Sequence, residues 1–465
     1  MITPRVPPVD EPRHFEPHEL FFSLTDPKGR IRFGNQVFTR VSGYEENELI
    51  GKPHNLIRHP DVPRCVFRLL WDYLEAGKTI AAYVKNLAAD GRYYWVLAVV
   101  SPCRKGYLSV RLNPSTPVFD TVRSAYARAL EIESAVEEDR GKQAAIEASL
   151  ADLTEQLGGL GFDSYDDFMR AALRAELDAR SQLPQAYPAL SDEGDPTGEL
   201  ASLHGVLESL NGQLAEVFDC LDVFEQLSDT LNDKHAVLEE LGPSLSFLAL
   251  NTHVSASRLG DEGAVLSVIS KNLSERSKQA DRLIGAIMQL MKPVCDTARG
   301  VAFDVEVAQI EAEVCEAFVA ELCDESADAP GVHESLAILL EELASRCRSL
   351  LETLRQLTRD VETMRSAAQD LIGQIGQMQV TQLNGRIEIA SIHAATGFLA
   401  IFDDVAKIVA EARIDCDEVI ELLTGTGEEL RTLLTIEGSL TANLSEISGH
   451  ERRSHEQASL VVAVS

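Results

Sequence analysis

Residues 80–101, IAAYVKNLAADGRYYWVLAVVS, decide the fold of the N-terminal part of this chain. Two runs rich in β-branched and aromatic residues, 80–86 and 93–101, flank Ala89-Asp90-Gly91, a tight-turn signal, and so predict an antiparallel hairpin. A further strand is expected at 108–112. Upstream, 21–25 and 31–33 enclose the turn DPKG at 26–29, which predicts a second hairpin. Short helices are expected near 36–41 and over 63–76, the latter after Asp61. The order is that of an α+β domain, an antiparallel sheet with helices on one face, over residues 18–115.

From Pro117 onward the pattern is helical, and the reading is of an all-α coiled-coil or four-helix-bundle region. Residues 117–183 form a helical connector interrupted by GGLG at 158–161. Residues 184–198, rich in Pro, Asp and Gly, read as a linker. Alternating four and three spacings then define heptad seams. Leu203, Leu207, Leu210, Leu214, Val217, Leu221 and Phe224 make the first; Leu266, Ile269, Leu273, Arg276, Ala280, Leu283, Ile287 and Leu290 make the second, with one charged interruption. A third runs from Leu340 through Leu343, Cys347, Leu350, Leu354, Leu357, Val361, Met364, Ala368, Leu371 and Ile375 to Met378. Phe398, Ile401, Val405, Ile408 and Ala412 suggest a fourth. The expected organisation is a first hairpin over 199–291 with its tip near 251–263, a connector at 292–332, and a second hairpin over 333–450 with its tip near 384–397.

Charge divides the chain at the same place. The net charge is −32, yet residues 1–120 hold 16 Lys/Arg against 13 Asp/Glu, so the acid belongs to the helices. Such a field repels phosphate backbones and anionic lipid heads, which excludes nucleic acid as a partner and favours proteins. The eight cysteines are scattered without a C-x-x-C pair, so no metal site is expected and a reduced, cytoplasmic setting is the simplest reading. No signal-peptide core or apolar run of about 18 residues occurs, so no membrane insertion is expected. No phosphate loop, nucleophile elbow or paired-acid motif points to an enzyme.

Three runs, VSGY at 41–44, ELIGKPHN at 48–55 and IRHPDVP at 57–63, followed in order by VKN at 84–86, DG at 90–91 and YWV at 94–96, resemble the PAS domain of the bacterial aerotaxis receptor family. That resemblance implies non-covalently bound FAD as a redox-responsive cofactor. The positions it carries over are Asn35, Asn55, Arg58, His59, Asp61, Trp71, Asn86 and Trp95, with Lys85 and Tyr94 beside them. Arg and His suit anionic or carbonyl groups, and Trp offers a flat apolar wall. From the residues alone, Asp61 is equally an N-cap of the helix after it, and Trp71 is equally core. The chain departs from the family at Thr79-Ile-Ala-Ala82, where an aromatic is usual.

FLALNTHVSASRLGDEG at 247–263 is similar to the signalling-hairpin tip of methyl-accepting chemotaxis proteins, and LNGRIEIA at 383–390 with GFLAIFDDV at 397–405 forms a second, degenerate copy. This implies partner-binding tips at Asn251 and Arg258 and at Asn384 and Glu388. The implied partners are the chemotaxis histidine kinase CheA and coupling protein CheW, or chemoreceptor arrays. Two hairpins in one chain allow an intramolecular pseudo-dimer as well as a homodimer. The expected function is cytoplasmic sensing of redox, oxygen or energy state in aerotaxis or chemotaxis. The alternatives are a cofactor-free PAS adaptor docking on receptor arrays and a haem or metabolite site using His54 or His59.

Overall fold

A computed structural model describes residues 6–183, 198–221, 223–257, 263–324, 331–391 and 396–464. They fall into two compact units: Met1–Ala215 with Phe303–Ser349 and Ser439–Ser465, and Glu216–Ala302 with Leu350–Gly438.

In the first unit, strands β1 (Phe21–Thr25), β2 (Ile31–Gly34), β3 (Ile80–Leu87), β4 (Tyr93–Cys103) and β5 (Gly106–Leu112) pair antiparallel in the order β2-β1-β5-β4-β3. The expected hairpin runs unbroken from Ile80 opposite Val100 to Leu87 opposite Tyr93. Its turn needs Gly91, whose φ of 89° lies in the left-handed region that disfavours a side chain. Strand alternation then sorts residues to two faces. The inner face lies under α1 (Gln36–Ser42), α2 (Glu46–Leu49), a 3-10 turn at His54–Ile57 and α3 (Arg64–Glu75). There Phe21 stacks on Phe38 of α1.

The outer face is also covered. Phe119 of α4 (Pro117–Gly159) packs on Tyr83 and Trp95, and the Tyr165 hydroxyl of α5 (Tyr165–Ser181) donates to the Ala81 carbonyl. Helix α4 is two helices in effect. It breaks at Gly141, with φ 80° and ψ 172°, and folds back so that Arg128 reaches Asp152. Buried Glu176 of α5 accepts from the backbone and hydroxyls of Ser115 and Thr116, satisfying donors at the start of α4. Further along the sheet, Phe318 of α8 (Ala264–Asp324) sets its edge against Phe22 and Phe33, with ring centroids 5.3 and 5.4 Å away.

In the second unit, segments of α7 (Val223–Ser257), α8, α9 (Val332–Ser391) and α10 (Thr396–Val464) share one core, in which Ala256, Leu266, Ile389 and Phe402 cluster. Gly385 is required here, because a Cβ would collide with the Phe402 ring. Every residue of the first and third expected seams is buried, in α6 (Glu199–Asp219), at Leu221 just after it, and in α7 and α9. The other two seams shift. In α8 the buried positions are Leu266, Ser270, Leu273, Ser277, Ala280, Ile284 and Ile287, so small serines replace the expected Ile269 and Arg276. Ser277 donates to the Gly242 carbonyl at 2.9 Å, a close approach that an arginine could not make, and Arg276 reaches Gln374 instead. In α10, Phe402 and Val409 are buried where Ile401 and Ile408 were expected.

Residues 292–324, expected within a connector, continue α8, which accommodates Pro293. Asp61 is not a cap, since Pro63 holds that position with no side-chain bond. The linker at 184–197 and the tip residues 258–262 and 392–395, Arg258 among them, lie outside the described residues. No described helix is long and apolar enough to cross a membrane.

Candidate functional site

Between the inner face of the sheet and α3 lies a cavity of about 280 Å³, just below the usual range of about 300–1,000 Å³ for ligand sites. Val84 and Asn86 of β3, Ala98 and Val100 of β4, and Ser109 and Arg111 of β5 form one wall. His54, Asn55, Ile57 and Arg58 of the 3-10 segment, Phe67, Leu70, Trp71 and Leu74 of α3, and the turn at Lys28-Gly29 form the rest. The lining is mostly apolar with a few convergent polar groups.

Arg111 dominates its electrostatics. It is 1% exposed, donates to the Ser23 hydroxyl at 2.9 Å, lies 2.6 Å from Nε2 of His54, and sits over the rings of Phe21 and Phe38. No carboxylate pairs with it among the described residues. Burial lowers its pKa to about 10, so it stays charged at neutral pH. His54 is pushed down to about 3, first by burial and then by the Arg111 charge. A neutral His54 accepting from Arg111 through Nε2 carries its proton on Nδ1. The Tyr94 hydroxyl on the same face is buried with no hydrogen-bond partner among the described residues.

Of the eight residues singled out in this domain, Asn55, Arg58, Trp71 and Asn86 line the cavity. Arg58 stacks on Phe67 at 3.8 Å and pairs by backbone with Asn86, while Trp71 meets Tyr107 edge to face. The other four stand elsewhere. Asn35 caps α1, its Oδ1 accepting from the backbone of Phe22 and Phe38 and its Nδ2 donating to Glu321. Trp95 faces the opposite side of the sheet, against Phe119 and Tyr126. His59 and Asp61 belong to a cluster in which the Asp61 amide donates to His59 Nδ1, Lys85 bonds Asp61 at 2.6 Å, and Lys85 lies over Tyr93. The sequence reading tied His54 only to the haem alternative and passed over Arg111. The signal for Arg111 was a charged residue at an inward position of a strand.

A second candidate surface lies on the helical unit. Phe247, Leu250 and Val254 of α7 and Val380, Leu383 and Ile387 of α9, each at three- and four-residue spacing, are 47% to 63% exposed. They form two like stripes beside Asn251, half-buried, and Asn384, exposed; Glu388 is half-buried. One group has metal-ligating composition, Glu341, Glu451 and His455, whose ligand atoms lie within 4.8 Å of one another, but Glu341 already pairs with Arg104.

Residues 31–107 match the family model for the PAS fold. The aerotaxis receptor of Escherichia coli is 37% identical over 109 residues, covering 22% of this chain and 22% of that protein. The biofilm dispersion protein BdlA of Pseudomonas aeruginosa is 30% identical over 82 residues, covering 17% of this chain and 20% of its own. The chain thus spans about a fifth of the length of these relatives. A light-oxygen-voltage domain of a blue-light-activated histidine kinase from Erythrobacter litoralis covers 20% of this chain at 14% identity, with a TM-score of 0.18. By its match over residues 31–107 the N-terminal domain is a PAS domain, with the aerotaxis receptor and the biofilm dispersion protein among its homologues, and a long helical region follows it.

Proposed function

We propose that this protein is a non-catalytic, cytoplasmic sensor of redox or energy state whose PAS cavity takes the flavin ring of FAD and whose helices pass the signal to chemotaxis proteins. The observation that carries this reading is Arg111, a buried cation in the wall of a mostly apolar cavity, with no anion paired to it among the described residues. Leaving such a charge uncompensated costs several kcal/mol, so the site favours a ligand with electron-rich acceptors. A flavin ring meets that description and supplies reversible uptake of electrons and protons. Around it, Arg111 would offer charge and donors, Asn55 and Asn86 amide donors and acceptors, and Trp71 and Tyr107 apolar ring surface. The likeness to the aerotaxis receptor supports the same choice.

A sensor needs two states with different interaction energies. A change of charge on the ligand alters its attraction to Arg111, and the inner strands move with it. The partner reading, the histidine kinase CheA with coupling protein CheW or receptor arrays, rests on the two exposed stripes and the tip resemblance. The first experiment is the visible spectrum of the purified full-length protein, with heat release of the chromophore. Stoichiometric flavin supports the reading. A colourless protein that also refuses added FAD overturns it in favour of a cofactor-free docking module.

A further inference from the structure

Opposite the cavity, the outer face of the sheet carries a buried polar clasp. Arg346 of α9 donates to both carboxylate oxygens of Glu311 on α8, at 2.9 Å each, and to the Ser101 hydroxyl of β4 at 2.8 Å. Ser101 in turn donates to Glu311 at 3.3 Å and receives from Thr79 at 3.2 Å. Asp304 and Glu342 complete the acidic surround of Arg346, at 3.3 and 3.9 Å. Ser101 and Glu311 are each 2% exposed, so the bonds between them and Arg346 are shielded from solvent. Its neighbour in the strand is Val100, which alternation turns to the other face and which lines the cavity.

We propose that the dipeptide Val100-Ser101 couples occupancy of the cavity to helices α8 and α9, with the Ser101 hydroxyl as the joint. A ligand seated against Val100 shifts β4 by a fraction of an ångström. Arg346 and Glu311 are held to each other by two bonds and to the sheet through Ser101 and, for Arg346, a longer 3.4 Å bond to Thr79. Hydrogen bonds weaken steeply with misalignment, so a small strand shift lengthens or tightens the sheet-to-helix link while the helix-to-helix pair persists. The clasp therefore has two arrangements that the cavity can bias. This inference rests on the cavity being the ligand site, and Ser101 acts as a positioning residue that touches no ligand.

Hydrogen exchange on the full-length protein, read by mass spectrometry with and without added FAD, tests it. Binding is followed separately by flavin absorbance. In wild type, FAD changes exchange in peptides covering 303–318 and 340–349 by about tenfold, the scale of one hydrogen bond to a charged group. Ser101→Ala binds FAD as well as wild type but loses that change, and Ser101→Thr, which keeps a hydroxyl, restores it. An undiminished response in Ser101→Ala, or no response in FAD-bound wild type, overturns the proposal. If FAD does not bind, the flavin reading fails and the coupling is tested by filling the cavity from the chain itself. Ala98→Leu, or Val84→Ile should the first variant lose its native circular dichroism, then changes exchange in the same peptides only when Ser101 is present; no change overturns the coupling.

Discussion

The two faces of one sheet each bury an arginine, and they treat it in opposite ways. On the outer face Arg346 is surrounded by Glu311, Asp304 and Glu342; burial alone would lower its pKa, but the Glu311 charge and bonds outweigh that and raise it. On the inner face Arg111 has a hydroxyl, a neutral imidazole and two aromatic rings, and its pKa falls. Two largely buried arginines thus differ chiefly in compensation: one has its carboxylates in place, the other has none among the described residues. The outer arginine ties the sheet to the helices; on the function proposed above, the inner one is the charge that a ligand's acceptors would balance.

The comparison breaks most visibly at Arg346. Replacing it with Met leaves Glu311 buried and unpaired, so stability falls by about 3–5 kcal/mol in urea titration of the full-length protein. Arg111→Met removes an uncompensated charge rather than a partner. Its stability therefore stays within about 1 kcal/mol of wild type or rises, while flavin binding drops by at least about tenfold in an absorbance titration. Equal destabilisation by the two substitutions would erase the distinction.

Acid and base sharpen it further. His54 has its folded pKa depressed to about 3 from 6.5, so the unfolded chain binds the proton first and the stability His54 contributes is lost as pH falls through that window. His54→Gln flattens this acid limb. On the outer helices Glu306 is raised to about 8 and Glu342 to about 7 from 4.5, chiefly by burial. The folded state then holds the extra protons, and stability present at low pH is lost as pH rises towards 7 to 8. Glu306→Gln and Glu342→Gln each flatten that alkaline limb in melting curves taken across pH. The smallest effect is expected at the exposed stripes, where Leu383→Ser and Ile387→Ser change stability by less than about 0.5 kcal/mol yet reduce capture of a chemotaxis coupling protein.

The strands were legible because period-two alternation and the turns at Asp26–Gly29 and Asp90-Gly91 are local signals. The cavity was half legible. Resemblance gives the order of residues but not the face, which is why Trp95 was grouped with Asn86. The hairpin register sets Trp95 opposite Lys85, and alternation turns both away from the wall that carries Asn86. Asn35 carried its own warning, since an asparagine directly before a helix is a cap by default. The clasp was not legible, because Glu311 and Arg346 stand more than 200 residues from Ser101 and only the folded chain brings them together. In α8 the heptad reading preferred Ile269 to Ser270, but hydrophobicity alone does not register the close approach of two helices that a serine permits.

Phe318 against Phe22 and Phe33 has a consequence for modularity. PAS domains are often treated as cassettes, cut at the last strand and spliced to a new output. Here part of the outer face of the sheet is roofed by residues more than two hundred positions downstream, so a fragment ending near Thr116 would bare two phenylalanines and the Ser101 hydroxyl together. Such a fragment is expected to self-associate, and a chimaera that keeps the domain intact must carry residues 303–349 with it.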